Sequence, residues 1–349
     1  MPVHNGALTS SEDHESGGQT LQLVLFSLLP AALVLSYQFG FGIIINVVIA
    51  ATTAVLSEAL ALKLRNRPVT IRLSDYSALL TGVLLGLSLP PLVPWWLVLI
   101  ASLFSIIVAK QLFGGSGTNP FNPAMVGYVV ALLSFPLEMS TWVKPISLLS
   151  DGIHHPSLTD SMSIVFSSVN IPDGVTGATP LDIFKHSSGL VADQIYQITP
   201  AFGTASFAGV GWEWTSIAFL CGGLVLLKAR VFSWHAPVAM LSSLAILSVF
   251  FWDSGSSNSA GSPIMHLFSG ATMMGAFFII TDPGSSAKTK RGKLVYGALI
   301  GFLIFTIRVW GDYPDAIAFA VLLGNFAVPL IDILTHDIAS TKIEPKNVD

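Results

Sequence analysis

Charge is what this sequence has least of. Only 10% of its 349 residues are Asp, Glu, Lys or Arg, where a soluble globular chain carries about 25%. With 52% hydrophobic residues and a mean hydropathy of +0.71, that scarcity excludes an ordinary soluble domain and points to an integral membrane protein. The net charge of −4 excludes a nucleic-acid binder driven by overall charge. Cysteine is nearly absent: Cys221 stands alone inside an apolar run. One thiol can neither ligate an iron–sulfur cluster nor close an internal disulfide, and the chain shows no dinucleotide-binding fingerprint. No Lys or Arg precedes the first apolar run, so residues 1–20 lack the basic start of a secretory signal. Their polarity predicts a short disordered tail.

Long apolar runs are what the chain has in abundance. They recur near residues 21–39, 41–63, 75–91, 94–112, 122–137, 211–229, 234–252, 264–281, 293–310 and 314–334, each close to the roughly 20 residues a spanning helix needs. The expected fold is an all-α integral membrane protein of about ten transmembrane helices. The runs near 75–91 and 122–137 are short and flanked by prolines. They are expected to be broken or re-entrant, which is tolerated only where protein covers them.

Basic residues set the expected orientation, because cytoplasmic loops retain Lys and Arg. With the N-terminus in the cytoplasm, the inside loops hold Lys63, Arg65, Arg67, Arg72, Lys228, Arg230, Lys288, Lys290, Arg291 and Lys293. The outside loops hold only Lys144 and Lys185, and Lys110 and Arg308 fall at helix ends. The expected organisation is a cytoplasmic tail (1–20), a first five-helix membrane unit (21–137), a periplasmic loop (138–210), a second five-helix unit (211–334) and a cytoplasmic tail (335–349).

The two membrane units look alike. Leu80-Thr81-Gly82-Val83-Leu84-Leu85-Gly86 ends at Pro90-Pro91, and Phe268-Ser269-Gly270-Ala271-Thr272-Met273-Met274-Gly275 ends at Asp282-Pro283. In each unit a long apolar helix follows and ends in a basic residue, an aromatic and a glycine: Lys110 with Phe113-Gly114, then Arg308 with Trp310-Gly311. Five helices per unit makes the second copy inverted, as in many transporters. Small-residue packing alone can produce similar spacing.

Within the outside loop, Asp173-Gly174-Val175-Thr176-Gly177-Ala178-Thr179-Pro180-Leu181-Asp182 is polar, small and turn-rich, a composition that favours a loop over a helix or strand. Its Thr-Gly-Ala-Thr core is short, and the chain carries its own control. Ser269-Gly270-Ala271-Thr272 repeats the pattern at the start of a membrane helix, with His266 rather than an acid six residues ahead of Thr272. Only the first copy is expected to be accessible to a modifying enzyme, and Thr272 is expected to be a packing residue.

The stretch 173–182 resembles the flavinylation motif of the membrane-subunit family that includes the D subunit of Rnf ion-translocating oxidoreductases and the B subunit of sodium-pumping NADH:quinone reductases. Three further stretches carry the likeness: Ala109-Lys110-Gln111-Leu112-Phe113-Gly114-Gly115 with Asn119-Pro120-Phe121-Asn122-Pro123-Ala124-Met125, then Gly275-Ala276-Phe277-Phe278-Ile279-Ile280-Thr281-Asp282-Pro283, and Gly311-Asp312-Tyr313-Pro314-Asp315 with Ala318-Phe319-Ala320-Val321-Leu322-Leu323. The likeness runs from about residue 21 onward, and the length fits the Rnf subunit better. It implies that the Thr179 hydroxyl forms a phosphoester with FMN, installed from FAD by a separate flavin transferase. Asp173, Thr176, Gly177 and Ala178 complete the motif. It also implies a second, non-covalent flavin (riboflavin or FMN) near Asn119 and Asn122, and partner subunits of the A, B, C, E and G types carrying the NAD and Fe–S sites. The protein would then sit in a bacterial inner membrane and couple electron transfer between ferredoxin and NAD to Na⁺ or H⁺ movement.

The residues leave a different class open. Inverted repeats, broken helices and the Asn122-Pro123-Ala124 triplet also suit a solute transporter or channel. Water channels need a second such triplet, whereas the second half offers Gly324-Asn325-Phe326. Asn before a Pro-started helix is in any case an ordinary cap. Glu58, Asp282 and Asp332 fall near helix ends, and Glu58 is expected to pair with nearby Lys63. Lys185 or His186 is expected either to offset a bound phosphodiester or to form a solvated pair.

Overall fold

A helix begins wherever the apolar runs begin, because an apolar medium forces backbone groups to bond within the segment. In the computed structural model, which describes residues 6–115, 117–167, 169–187 and 190–335, every run anticipated from the sequence contains helix. Four helices are long and apolar enough to cross a membrane by length and composition: Gly17–Phe39 within the longer helix Gly6–Phe39, Gly42–Leu64, Lys290–Trp310 and Ile317–Thr335. Shorter apolar helices are Ser77–Ser88, Trp95–Gln111, Pro123–Ser134 and His235–Phe250, and the 17-residue helix Trp212–Lys228 precedes the last of these.

One expectation is corrected, and another is met in part. The first helix starts at Gly6, inside the stretch anticipated as a disordered tail (1–20), because no proline interrupts the polar lead-in to its apolar stretch. Residues 336–349 of the anticipated C-terminal tail lie outside the described residues. The run near 122–137 is broken as anticipated: it divides at Phe135, beside Pro136, into Pro123–Ser134 and Pro136–Ser140. The run near 75–91 holds a single helix of 12 residues, Ser77–Ser88. A further interruption lies in the run near 264–281, which divides into Pro263–Phe268, Thr272–Met274 and the π-helical turn Gly275–Ile279. Gly270 takes a φ of +64° between the pieces. The freed backbone groups are satisfied by side chains: Ser216 Oγ donates to the Phe268 carbonyl (2.8 Å), and the Ala271 amide donates to Asp315 (2.8 Å).

Small residues set the packing. A Cβ at Gly82 would lie 2.6 Å from Ala51 Cα, and one at Gly86 2.6 Å from Val47 Cα, so Ser77–Ser88 and Gly42–Leu64 touch backbone to backbone. Gly297 and Gly301 bring Lys290–Trp310 equally close to Ala236 and Met240 of His235–Phe250. Such contacts replace the hydrophobic drive that lipid removes. Gly6–Phe39 packs on Trp212–Lys228, and Pro123–Ser134 on Ile317–Thr335, joining the halves around one core.

The first half is pinned by a buried ion pair. Lys110 Nζ donates to Glu58 Oε2 (2.8 Å) and to Ser77 Oγ (2.7 Å), and Gln111 Nε2 donates to Glu58 Oε1 (2.7 Å). Glu58 therefore pairs with Lys110 rather than Lys63. Both partners are nearly inaccessible, at 3% and 2% exposure. The wide π-helical turn Phe104–Gln111 lets two successive residues reach one carboxylate. Removing one partner leaves an uncompensated buried charge. Glu58→Gln is thus expected to lower stability by about 3–5 kcal/mol, while Glu58→Leu with Lys110→Met together costs less than Glu58→Gln alone. Thermal unfolding in detergent compares the three.

Candidate functional site

Residues 173–182 are fixed more firmly than a solvated loop. Asp173 is exposed on a turn in which Gly174 takes φ +81°, a left-handed conformation open to glycine at no steric cost. Val175 is then buried against Leu92, Val143 and Ile164. Thr176–Gly177 pairs antiparallel with Trp142–Val143, Trp142 opposite Gly177 and Val143 opposite Thr176. Ala178 is exposed, and Thr179 is half-buried at the start of the helix Pro180–His186.

Thr179 is the N-cap of that helix. Its Oγ1 accepts from the Asp182 amide (3.2 Å), while the Asp182 carboxylate accepts from the Thr179 amide (3.3 Å) and from the Thr179 hydroxyl (2.7 Å). This is a capping box with proline at the first helical position. The loop-only expectation for 173–182 is corrected accordingly: a strand ladder precedes the threonine and a helix follows it. The signal was present in Thr179-Pro180-Leu181-Asp182.

Beneath Thr179 lies a cavity of about 360 Å³, within the size range of small-molecule sites. Its wall includes Trp142, Trp212, Phe219, Met125 and Met274, and its polar rim includes Thr179, Asp182, Tyr128 and Asp315. Trp142 and Phe39 both pack on Trp212, with ring centroids 5.0 Å apart in each case. Thr176, Gly177, Ala178 and Asp182 line an adjoining open groove of about 620 Å³, which shares Ser140, Trp142, Asp182 and His186 with the cavity. Asp173 lines neither.

The far wall is held by Arg308. Its guanidinium donates to Asp315 (3.0 Å), to Thr272 Oγ1 (2.9 Å) and to the His266 carbonyl (2.7 Å). Thr272 is fully buried and its hydroxyl donates in turn to the His266 carbonyl (2.8 Å), the packing role anticipated for it. Lys185 reaches across from the Thr179 helix. Its ammonium donates to the carbonyls of Arg308 (3.2 Å), Tyr313 (3.3 Å), Ile307 (3.5 Å) and Gly311. Desolvation holds its pKa below the ordinary lysine value, against the opposing pull of Asp312 and Asp182. Lys185 is therefore a clamp on a helix end, and His186 is exposed.

Asn119 and Asn122 lie at the other end of the bundle. They line a cavity of about 240 Å³ with Lys110, Asp282 and Lys293. That cavity adjoins the start of Lys290–Trp310, whereas the Thr179 cavity adjoins its end; the helix has 21 residues, about 30 Å in length. Asn122 Oδ1 caps its helix by accepting from the Met125 amide (3.2 Å), and Nδ2 donates to the Ile279 carbonyl (3.3 Å). The Asn122 amide donates to Asn325 Oδ1 (3.0 Å), so this asparagine ties the two halves together. Asn119 Nδ2 donates to the Phe121 carbonyl (3.0 Å).

The sequence has relatives. The sequence model described as the NQR2, RnfD, RnfE family matches residues 9–340. The chain belongs to this family. A protein of Cellvibrio japonicus is 53% identical over 314 residues, covering 90% of this chain and 88% of its own length. Relatives in Yersinia pseudotuberculosis and Pseudomonas aeruginosa are each 49% identical, over 335 and 316 residues, covering 93% and 90% of this chain and 95% and 89% of their own. All three are named as the D subunit of an ion-translocating oxidoreductase complex. Family membership and the apolar helices make this a multi-pass membrane protein.

Sequence reasoning missed Asp182, the Arg308–Asp315 pair and the aromatic wall of the cavity. The Thr-x-x-Asp spacing could have found the first. The others join segments distant in the chain and leave no local trace. Lys185→Met removes the clamp and leaves helix-end carbonyls without their donor, at a cost of about 1.5–3 kcal/mol for hydrogen bonds to a charged group. Amide hydrogen exchange is expected to quicken in 307–313 and in 176–187 together, and Lys185→Arg to restore part of the protection.

Proposed function

We propose that this chain is the D-type membrane subunit of an ion-translocating oxidoreductase complex, relaying electrons through an FMN joined to Thr179 by a phosphoester. The observation that carries the reading is the position of Thr179: a hydroxyl on a pinned strand-to-helix junction, at the rim of a cavity walled by Trp142, Trp212 and Phe219. The names of the relatives supply the redox and ion-translocating context. The donor set fits a flavin. Aromatic and methionine side chains suit the faces of an isoalloxazine ring, and Thr179 at the rim suits a tether. Bound there, FMN would supply a carrier of one or two electrons. The protein's part is to hold the ring, shield it from water with the wall of tryptophans, and keep its tether short through the capping helix.

On the same reading, about ten helices span a bacterial inner membrane as two inverted five-helix units. Lys110 and Arg308 occupy corresponding places, each ending a helix before a polar loop. Both termini face the cytoplasm and Thr179 faces the periplasm. The cavity beside Asn119 and Asn122 would take a second, non-covalent flavin (riboflavin or FMN), giving a carrier on each side of the bilayer. Subunits of the A, B, C, E and G types would bring NAD and Fe–S centres, a flavin transferase would install the FMN, and Na⁺ or H⁺ would be the coupled ion.

Denaturing gels test the attachment. From cells with a working flavin transferase, the wild-type band is expected to fluoresce under ultraviolet light, Thr179→Val to be dark, and Thr272→Val, where it accumulates, to keep its fluorescence. A dark wild-type band would instead leave the solute transporter or channel as the reading, since neither needs a modified threonine.

A further inference from the structure

Asp182 belongs to the Thr179 helix and to both the cavity and the open groove. Its carboxylate Oδ2 lies 2.7 Å from Thr179 Oγ1 and accepts the hydroxyl proton. That is the separation at which a general base takes a proton from a nucleophile. The capping box fixes the geometry, because the Asp182 carboxylate also accepts from the Thr179 amide and the Asp182 amide donates to Oγ1. The other ionisable groups of this helix are engaged differently: Lys185 Nζ with the carbonyls of 307–313, and His186 Nδ1 with the Asp182 carbonyl at 2.9 Å.

Resting on the reading of Thr179 as the flavin-bearing residue, we propose that Asp182 is the general base for its own chain's modification. The flavin transferase would bring FAD and this chain would bring the nucleophile already paired with its proton acceptor. As Thr179 Oγ1 attacks the FMN phosphorus of FAD, the Oγ1–H bond breaks and its proton passes to Asp182 Oδ2. The Oγ1–P bond forms, and the bond from phosphorus to the bridging oxygen breaks with its electron pair, releasing AMP. Nothing is oxidised or reduced. The open groove that Asp182 also lines then returns the proton to water. The product ester has no hydroxyl proton, so the 2.7 Å bond belongs to the unmodified chain and its loss accompanies completion of the transfer.

The test is the rate of in vitro flavinylation. Full-length protein is purified in detergent from cells lacking the transferase. It is then incubated with FAD and a transferase of established activity on another flavinylated protein, and labelling is followed by gel fluorescence. Asp182→Asn keeps an oxygen to accept from Thr179 but is no base; it is expected to label at least about 100-fold more slowly, the lower end of what a general base contributes. Asp182→Ala is expected to be slow as well and to recover at least about tenfold on adding formate, a small carboxylate that fits the vacated space. Labelling of Asp182→Asn at the wild-type rate would overturn the assignment while leaving Thr179 as the flavin site. Slow labelling of both variants without formate rescue would also overturn it, reducing Asp182 to a helix cap. A wild-type protein that never labels would overturn the underlying reading instead.

Discussion

Arg308 is the interaction on which the candidate site depends. A guanidinium at 4% exposure needs several acceptors, because a buried charge without partners is among the costliest features a protein can hold. Its acceptors come from three places: the carbonyl of His266 at the end of one helix fragment, the hydroxyl of Thr272 at the start of the next, and the carboxylate of Asp315 in the loop that follows Trp310. One side chain therefore fixes the break near Gly270, the Asp312–Asp315 wall of the cavity and the end of its own helix. Lys185 then ties the Thr179 helix to that same helix end.

The other half answers with Lys110. It too ends an apolar helix before a polar loop, and it too is buried, with Glu58, Ser77 and Gln111 around it. Its loop carries Asn119 and Asn122 and the smaller cavity. The two cavities stand at opposite ends of Lys290–Trp310 and share Pro123–Ser134 as a common wall: Asn122 and Pro123 face one, Met125 and Tyr128 the other. The hydrogen bond from the Asn122 amide to Asn325 locks this wall to the last helix.

The Thr179 segment shows how a small amount of local structure shapes chemistry. The two-residue ladder with Trp142–Val143 holds the chain before the threonine, and the capping box with Asp182 holds it after. Between them only Ala178 stands fully out. Thr179 lines the cavity, while Thr176, Gly177 and Ala178 just before it line the open groove.

The sequence by itself determined the membrane class, the positions of the apolar helices, the family and the motif around Thr179. These follow from composition, from apolar run length and from a contiguous string of small residues, all of which are local properties. It also held the Thr-x-x-Asp cap, although the turn-rich composition around it spoke for a loop. Only the tertiary structure decided that Glu58 meets Lys110 rather than Lys63, that a further helix break lies near Gly270, that Lys185 clamps a distant helix end, and that Thr179 overlooks an aromatic cavity. Each of those depends on partners dozens to hundreds of residues apart in the chain. In an apolar medium a buried charge or a freed backbone group is governed by whichever partner packing brings within reach, and separation along the sequence carries no record of that choice.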